Sequence, residues 1–137
     1  MRSVTTSRGG RKPLILIVDD VQDIRDMYAE HLSTHGFHSE VATNGFEALS
    51  KAAVMTPDVI VMDLNMPQLD GWEATRRLKA NDVTRGIPVI ALTGLSVDDS
   101  KEAALQAGCD GYLTKPCYPD TLTEEIRRVL KGWRRSH

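Results

Sequence analysis

The chain has 137 residues, 41% hydrophobic and 26% charged, which suits one globular domain with a core that needs no disulfide staples. No apolar run approaches the roughly 18 residues of a membrane span, and the start lacks a signal-peptide apolar block, so a cytoplasmic protein is expected. The net charge of −2 hides an asymmetry: residues 13–126 hold all 19 acids and 8 Lys/Arg, net −11, while the ends, 1–12 and 127–137, hold the other 9 Lys/Arg and no acid. No aromatic-interleaved basic face accompanies those ends, so they read as solvated tails, with no direct DNA binding and no membrane contact.

Residues 1–12, MRSVTTSRGGRK, are polar and aperiodic and read as a disordered leader. After Pro13, LILIV (14–18) has no polar alternation and predicts a strand buried on both faces, ended by Asp19-Asp20. Ile24, Met27, Tyr28 and Leu32 recur at helical spacing, and Gly36 supplies a stop. HSEVA (38–42) is less apolar, as an edge strand would be. Asn44 then caps a helix carrying Ala48, Leu49, Ala52 and Ala53, closed before Pro57. VIVMD (59–63) predicts the third strand, followed by a long loop and a helix from about Gly71 to Asn81. PVIALT (88–93) predicts the fourth strand. Ser96 with Asp99 resembles a capping box for a helix holding Ala103, Ala104 and Ala107, and Gly108 stops it. GYLT (111–114) is a short fifth strand. The last helix starts near Pro119–Asp120, with Leu122, Ile126, Val129 and Leu130 on one face.

Five strand–helix units with apolar strands call for an α/β fold, a parallel sheet covered by helices on both faces. Asp19 and Asp20 follow the first strand, Asp63 ends the third, Thr93 ends the fourth and Lys115 follows the fifth. In a parallel sheet all C-terminal strand ends share one edge, where open α/β sheets bind ligands. The five residues should therefore meet in one cleft. Three crowded carboxylates repel unless a cation intervenes. Hard oxygen ligands suit Mg²⁺, with Mn²⁺ as a substitute. A divalent ion, an ammonium and a Thr hydroxyl together suit an incoming phosphoryl group, which a nucleophilic Asp can accept as an acyl phosphate.

At these residues the sequence closely resembles the receiver domain of two-component response regulators, of the chemotaxis-regulator-like single-domain kind, over about residues 13–131. ILIVDDVQDIR resembles the acidic-pair segment, VMDLNMPQLDGWE the phosphoacceptor segment, ALTG the switch-threonine segment and YLTKPC the lysine–proline segment. The resemblance implies a flavodoxin-like (βα)5 fold, doubly wound, with strand order 2-1-3-4-5; residues 132–137 beyond it read from their charge as a basic tail. It implies Asp63 as the phosphorylated residue, with Asp20, Asp63 and the backbone carbonyl of Asn65 on Mg²⁺ and Asp19 holding a water ligand. Thr93 would hydrogen-bond the phosphoryl group, Lys115 would pair with it, and the Lys115–Pro116 bond would be cis. Tyr112 matches the aromatic that swings inward when the threonine moves. The face of the fourth helix, fifth strand and fifth helix would then be remodelled to control a downstream protein.

The implied phosphoryl donor is a histidine kinase or histidine phosphotransfer protein. The chain would be a monomer or a weak phosphorylation-dependent dimer, a phosphoacceptor with slow autodephosphorylation rather than a turnover enzyme. Leu95, two residues after Thr93, offers no group to orient a hydrolytic water, which predicts a long-lived phosphoryl group. Val21, where the family often has a polar residue, departs from the pattern with little expected effect.

Three other readings compete. An Asp-nucleophile phosphohydrolase of the haloacid dehalogenase kind needs a second acid two residues after the nucleophile, and Asn65 stands there. Nucleotide binding lacks both the Walker pattern and the G-x-G-x-x-G turn. A receiver-fold scaffold without phosphorylation is disfavoured by the intact set of acids, Thr93 and Lys115. Taken alone, Asp19-Asp20 would read as a helix cap pair, and Asp20 suits both jobs. Trp72 and Trp133 read as packing residues. His31, His35, His38 and His137 look scattered, neither catalytic nor metal-binding. Cys109 and Cys117 read as small buried residues in a reducing compartment, with no redox role.

Overall fold

The structure, a computed structural model, describes residues 11–94 and 97–136, with side chains at all of these except 97–101 and 133–136. Its elements run β1 (Leu14–Val18), α1 (Gln22–Ser33), β2 (His38–Ala42), α2 (Gly45–Met55), β3 (Val59–Asp63), α3 (Gly71–Ala80), β4 (Val89–Thr93), α4 (Val97–Ala107), β5 (Gly111–Thr114) and α5 (Pro119–Ser136). All strand pairings are parallel, and the sheet order is β2-β1-β3-β4-β5. This is the doubly wound, flavodoxin-like architecture expected from the alternation of elements.

The apolar strands feed two cores because successive side chains point to opposite faces. Leu16, Val18, Ile60, Met62, Val89 and Ala91 pack with Ala48 and Ala52 of α2, Ala74 and Leu78 of α3 and Ala104 of α4. Ile15, Ile17, Val59, Val61, Ile90 and Leu92 pack with Tyr28 and Leu32 of α1 and Leu122, Ile126 and Val129 of α5. Each fully buried Leu or Ile contributes about 1.5–3 kcal/mol relative to exposure. The sheet is thus fixed from both sides, and its strand ends are held in register.

Several expectations needed correction. Met27 is exposed, because Ile24, Tyr28 and Leu32 define the face of α1 that meets the sheet and Met27 lies off it. Ala53 is exposed for the same reason on α2. The Asp19-Asp20 pair does not cap α1: the N-cap is Val21, with no side-chain cap bond. Pro88 falls outside β4, since it has no N–H to give, although its carbonyl accepts from Ile60 at 2.9 Å. Helix α5 runs on to Ser136, so residues 132–136 are helical where a tail was expected. Asn44 caps α2 as expected, accepting the Glu47 N–H at 2.8 Å. Residues 1–10 of the expected leader, Leu95 with its expected bearing on hydrolysis, Ser96 and the Asp99 side chain of the expected capping box, the Trp133 side chain and His137 lie outside the described residues.

Candidate functional site

Register builds the site. Val18 pairs with Met62, so Asp19, next along β1, stands level with Asp63. Asp63 pairs with Leu92, and Thr93 pairs with Thr114, the residue before Lys115. Strands β1 and β3 are also where the sheet reverses its winding, because β2 lies outside β1. The acids therefore end the two strands that flank the topological switch point, the crevice where such sheets bind ligands.

The loop after Asp63 is drawn tightly against it. Leu64, Met66 and Leu69 are buried in the core, which folds the loop back over the strand end. Gly71 starts α3 so close that a Cβ there would lie 2.4 Å from the Asp63 carbonyl oxygen and 2.7 Å from the Leu64 Cα. Gly45, the first residue of α2, sits equally tightly on the loop, with the Leu69 carbonyl oxygen 2.6 Å from where its Cβ would be. Asp70 caps α3 through the Glu73 N–H at 2.9 Å.

Asp19, Asp20 and Asp63 each offer a carboxylate oxygen, and these atoms lie within 4.8 Å of one another. Asp19 and Asp63 are buried and Asp20 is exposed at the rim. The Lys115 ammonium lies between the buried pair, 3.2 Å from Asp19 Oδ2 and 3.3 Å from Asp63 Oδ1. Asp63 Oδ1 also accepts the Asn65 N–H at 3.0 Å, and Asp19 Oδ1 accepts the Val21 N–H at 2.9 Å. Thr93 is buried, with its Oγ1 3.4 Å from the Asn65 amide nitrogen. The Lys115–Pro116 bond is cis. Tyr112 is half-buried against the core on the α2–α3–α4 face. It pairs with Ala91, two residues before Thr93, so Tyr112 and Thr93 share a face of the sheet.

Burial is the main cause of a raised Asp63 pKa; the Asn65 N–H opposes it, Asp19 adds to it and Lys115 opposes it. For Lys115, burial is the largest single influence and pulls its pKa down, but Asp63 and Asp19 outweigh it and the net shift is upward. One ammonium pairs with two of the three carboxylates. The surplus of hard anionic oxygens fits a divalent cation such as Mg²⁺.

All the residues singled out at the strand ends are brought together: Asp19, Asp20, Asp63, Asn65, Thr93 and Lys115. Two supporting contacts carried no sequence signal. The Asn65 side chain reaches Thr93, although only its backbone carbonyl was expected to matter, and Arg25 Nη1 donates to the Asp19 carbonyl at 2.8 Å. The histidines are less scattered than expected: the rings of His31 and His35 stack with centroids 3.9 Å apart. Cys109 and Cys117 are buried and free. Among the described residues no helix is long and apolar enough to cross a membrane.

Comparison with known proteins bears on this geometry. The polar-differentiation response regulator DivK of Brucella anthropi is 34% identical over 116 residues, 85% of this chain and 94% of that protein. The Vibrio cholerae chemotaxis protein CheY4 superposes with a TM-score of 0.82 at 34% identity, covering 87% of this chain and 99% of that one. The receiver domain of a Pseudomonas aeruginosa sensor histidine kinase, whose structure has a magnesium ion coordinated in the active-site cleft, superposes with a TM-score of 0.80 at 32% identity, covering 88% and 98%. The chain spans about half the length of the curated transcriptional regulators it matches. The response regulator receiver domain family matches residues 15–127, and with that span and these strand-end residues the chain belongs to this family.

Proposed function

We propose that this domain, spanning about residues 13–131, takes a phosphoryl group onto Asp63 from a histidine kinase or histidine phosphotransfer protein and uses it to switch a protein-binding face. The observation that carries the reading is the meeting of Asp19, Asp20, Asp63 and Lys115 at the sheet's switch point. Both polar contacts described for Asp63 fall on Oδ1, from Asn65 and Lys115, which leaves Oδ2 as the attacking oxygen. Oδ2 bonds to phosphorus as the bond from phosphorus to the donor imidazole nitrogen breaks, and the released imidazole keeps that electron pair.

Asp20, Asp63 and the Asn65 carbonyl would hold Mg²⁺ (or Mn²⁺), with Asp19 acting through a water. The ion, when bound, neutralises carboxylate repulsion and the oxygens of the entering group. Lys115 moves from an ion pair with the carboxylates to one with the phosphoryl oxygens. Thr93 gives up its contact with Asn65 to donate its hydroxyl to the same oxygens. Tyr112, on the same face of the sheet, takes up the space released, and the α4–β5–α5 face changes shape for a downstream partner. Such a switch works by the differential contacts of two states. The setting is the cytoplasm. The chain acts as a monomer or a weak phosphorylation-dependent dimer, with slow loss of the phosphoryl group and no external substrate turned over.

Incubation with acetyl phosphate and Mg²⁺, read by intact mass, tests the reading. Wild type is expected to gain one phosphoryl group, and to gain none in EDTA or as Asp63→Asn. Equal behaviour of wild type and Asp63→Asn would leave only a scaffold.

A further inference from the structure

We propose a second metal site, for Zn²⁺ or a similar imidazole-preferring divalent ion, formed by His31, His35 and Asp120 where the end of α1 meets the start of α5. One ligand atom from each lies within 4.8 Å of the other two. Two borderline imidazole nitrogens beside one hard carboxylate differ from the all-oxygen cluster at Asp63, so the two sites select different ions.

The details favour ligation. His35 Nδ1 lies 2.8 Å from the His31 carbonyl oxygen, which assigns the proton to Nδ1 and leaves the Nε2 lone pair outward. His31 Nε2 is sealed from solvent and has no hydrogen-bond partner, yet it lies 3.3 Å from Asp120 Oδ1. The separation is that of an ion pair, but the direction of approach is not that of a hydrogen bond. Two ligands of one ion converge in this way. The stacked rings, 17° from parallel, need His35, the exposed member, to turn about its χ2, exchanging its contact with the His31 carbonyl for the ion, until its Nε2 lone pair meets that of His31. Asp120 is exposed and free to close as the third ligand, with water completing a tetrahedron.

The alternatives on the chain are poor. Burial pushes the Cys109 thiol up to about 11 and raises that of Cys117, so neither offers a ready thiolate. The Arg127 guanidinium is nearby, on the His35 carbonyl at 3.0 Å, but it also faces the Phe37 ring. A bound ion would tie α1 to α5, which otherwise meet mainly through the core on their shared face of the sheet.

Zinc titration by calorimetry with Mg²⁺ held at saturation tests the site, alongside the visible absorption of Co²⁺ as a probe of its coordination. Wild type is expected to bind zinc, and His35→Ala and Asp120→Asn, both at exposed positions, each to weaken binding about tenfold or more. Asp63→Asn should bind zinc as wild type does, so this outcome is independent of the phosphoacceptor reading. Zinc binding that is absent, or that survives unchanged in either His35→Ala or Asp120→Asn, would overturn the site and leave a His31–Asp120 ion pair.

Discussion

Asp58 and Asp63 flank the same strand, one just before β3 and one at its end, and they do opposite things. Asp58 donates its N–H to the Leu14 carbonyl at 2.8 Å and accepts the Leu14 N–H on Oδ2 at 2.7 Å. Asp110, just before β5, repeats the device with Val89, at 2.7 and 2.9 Å, and adds Lys79 at 3.0 Å. At the N-terminal edge of the sheet each acid thus secures the first residue of a neighbouring strand, whose N–H would otherwise go unpaired. At the C-terminal edge the acids crowd one another around a single ammonium. Residue type is the same at both edges. What differs is whether each carboxylate has its own donors or must share a cation.

That contrast can be tested by substitution. The largest effect is expected from Asp63→Asn, which should abolish phosphoryl uptake, whereas Asp58→Asn should take up label at the wild-type rate in the same assay. Next comes Gly71→Ala. Its Cβ would strike the Asp63 and Leu64 backbone, so urea denaturation should show a loss of about 2–3 kcal/mol, accompanied by slower phosphorylation as Asp63 is displaced. Asp58→Ala and Asp110→Ala should each cost about 1–2 kcal/mol by leaving a strand-start N–H unmatched, with phosphorylation unchanged.

The smallest effect is electrostatic. Because burial raises the pKa of Asp63 in the folded chain, the folded state binds its proton more tightly than the unfolded state does. Ionised Asp63 therefore costs stability, a cost absent below the ordinary carboxylate value of 3.8 and complete above the raised folded value. Thermal melts should show Asp63→Asn more stable than wild type at neutral pH without Mg²⁺, with the gain shrinking as the pH falls through that window.

The sheet was legible because its strands are short apolar runs bounded by Asp, Pro and Gly, and four of the five match the expected limits. The gathering of Asp19, Asp63, Thr93 and Lys115 was legible too, since parallel topology places all C-terminal strand ends together. Side-chain contacts between distant segments were not. Nothing in the sequence links Arg25 to the Asp19 carbonyl, or His31 to Asp120, because those meetings depend on how α1 and α5 seat against the sheet. Met27 fits a helical count yet faces outward, since the apolar stripe of α1 is narrower than the periodicity allows. The Asn65 side chain was overlooked because its backbone already had a role.

The most direct test is chemical trapping. Borohydride reduces an acyl phosphate to the alcohol, so wild-type protein phosphorylated with Mg²⁺, reduced and digested should yield homoserine at position 63. Modification at position 19 or 20 instead, or none at all in protein that has gained phosphoryl mass, would contradict the assignment of Asp63.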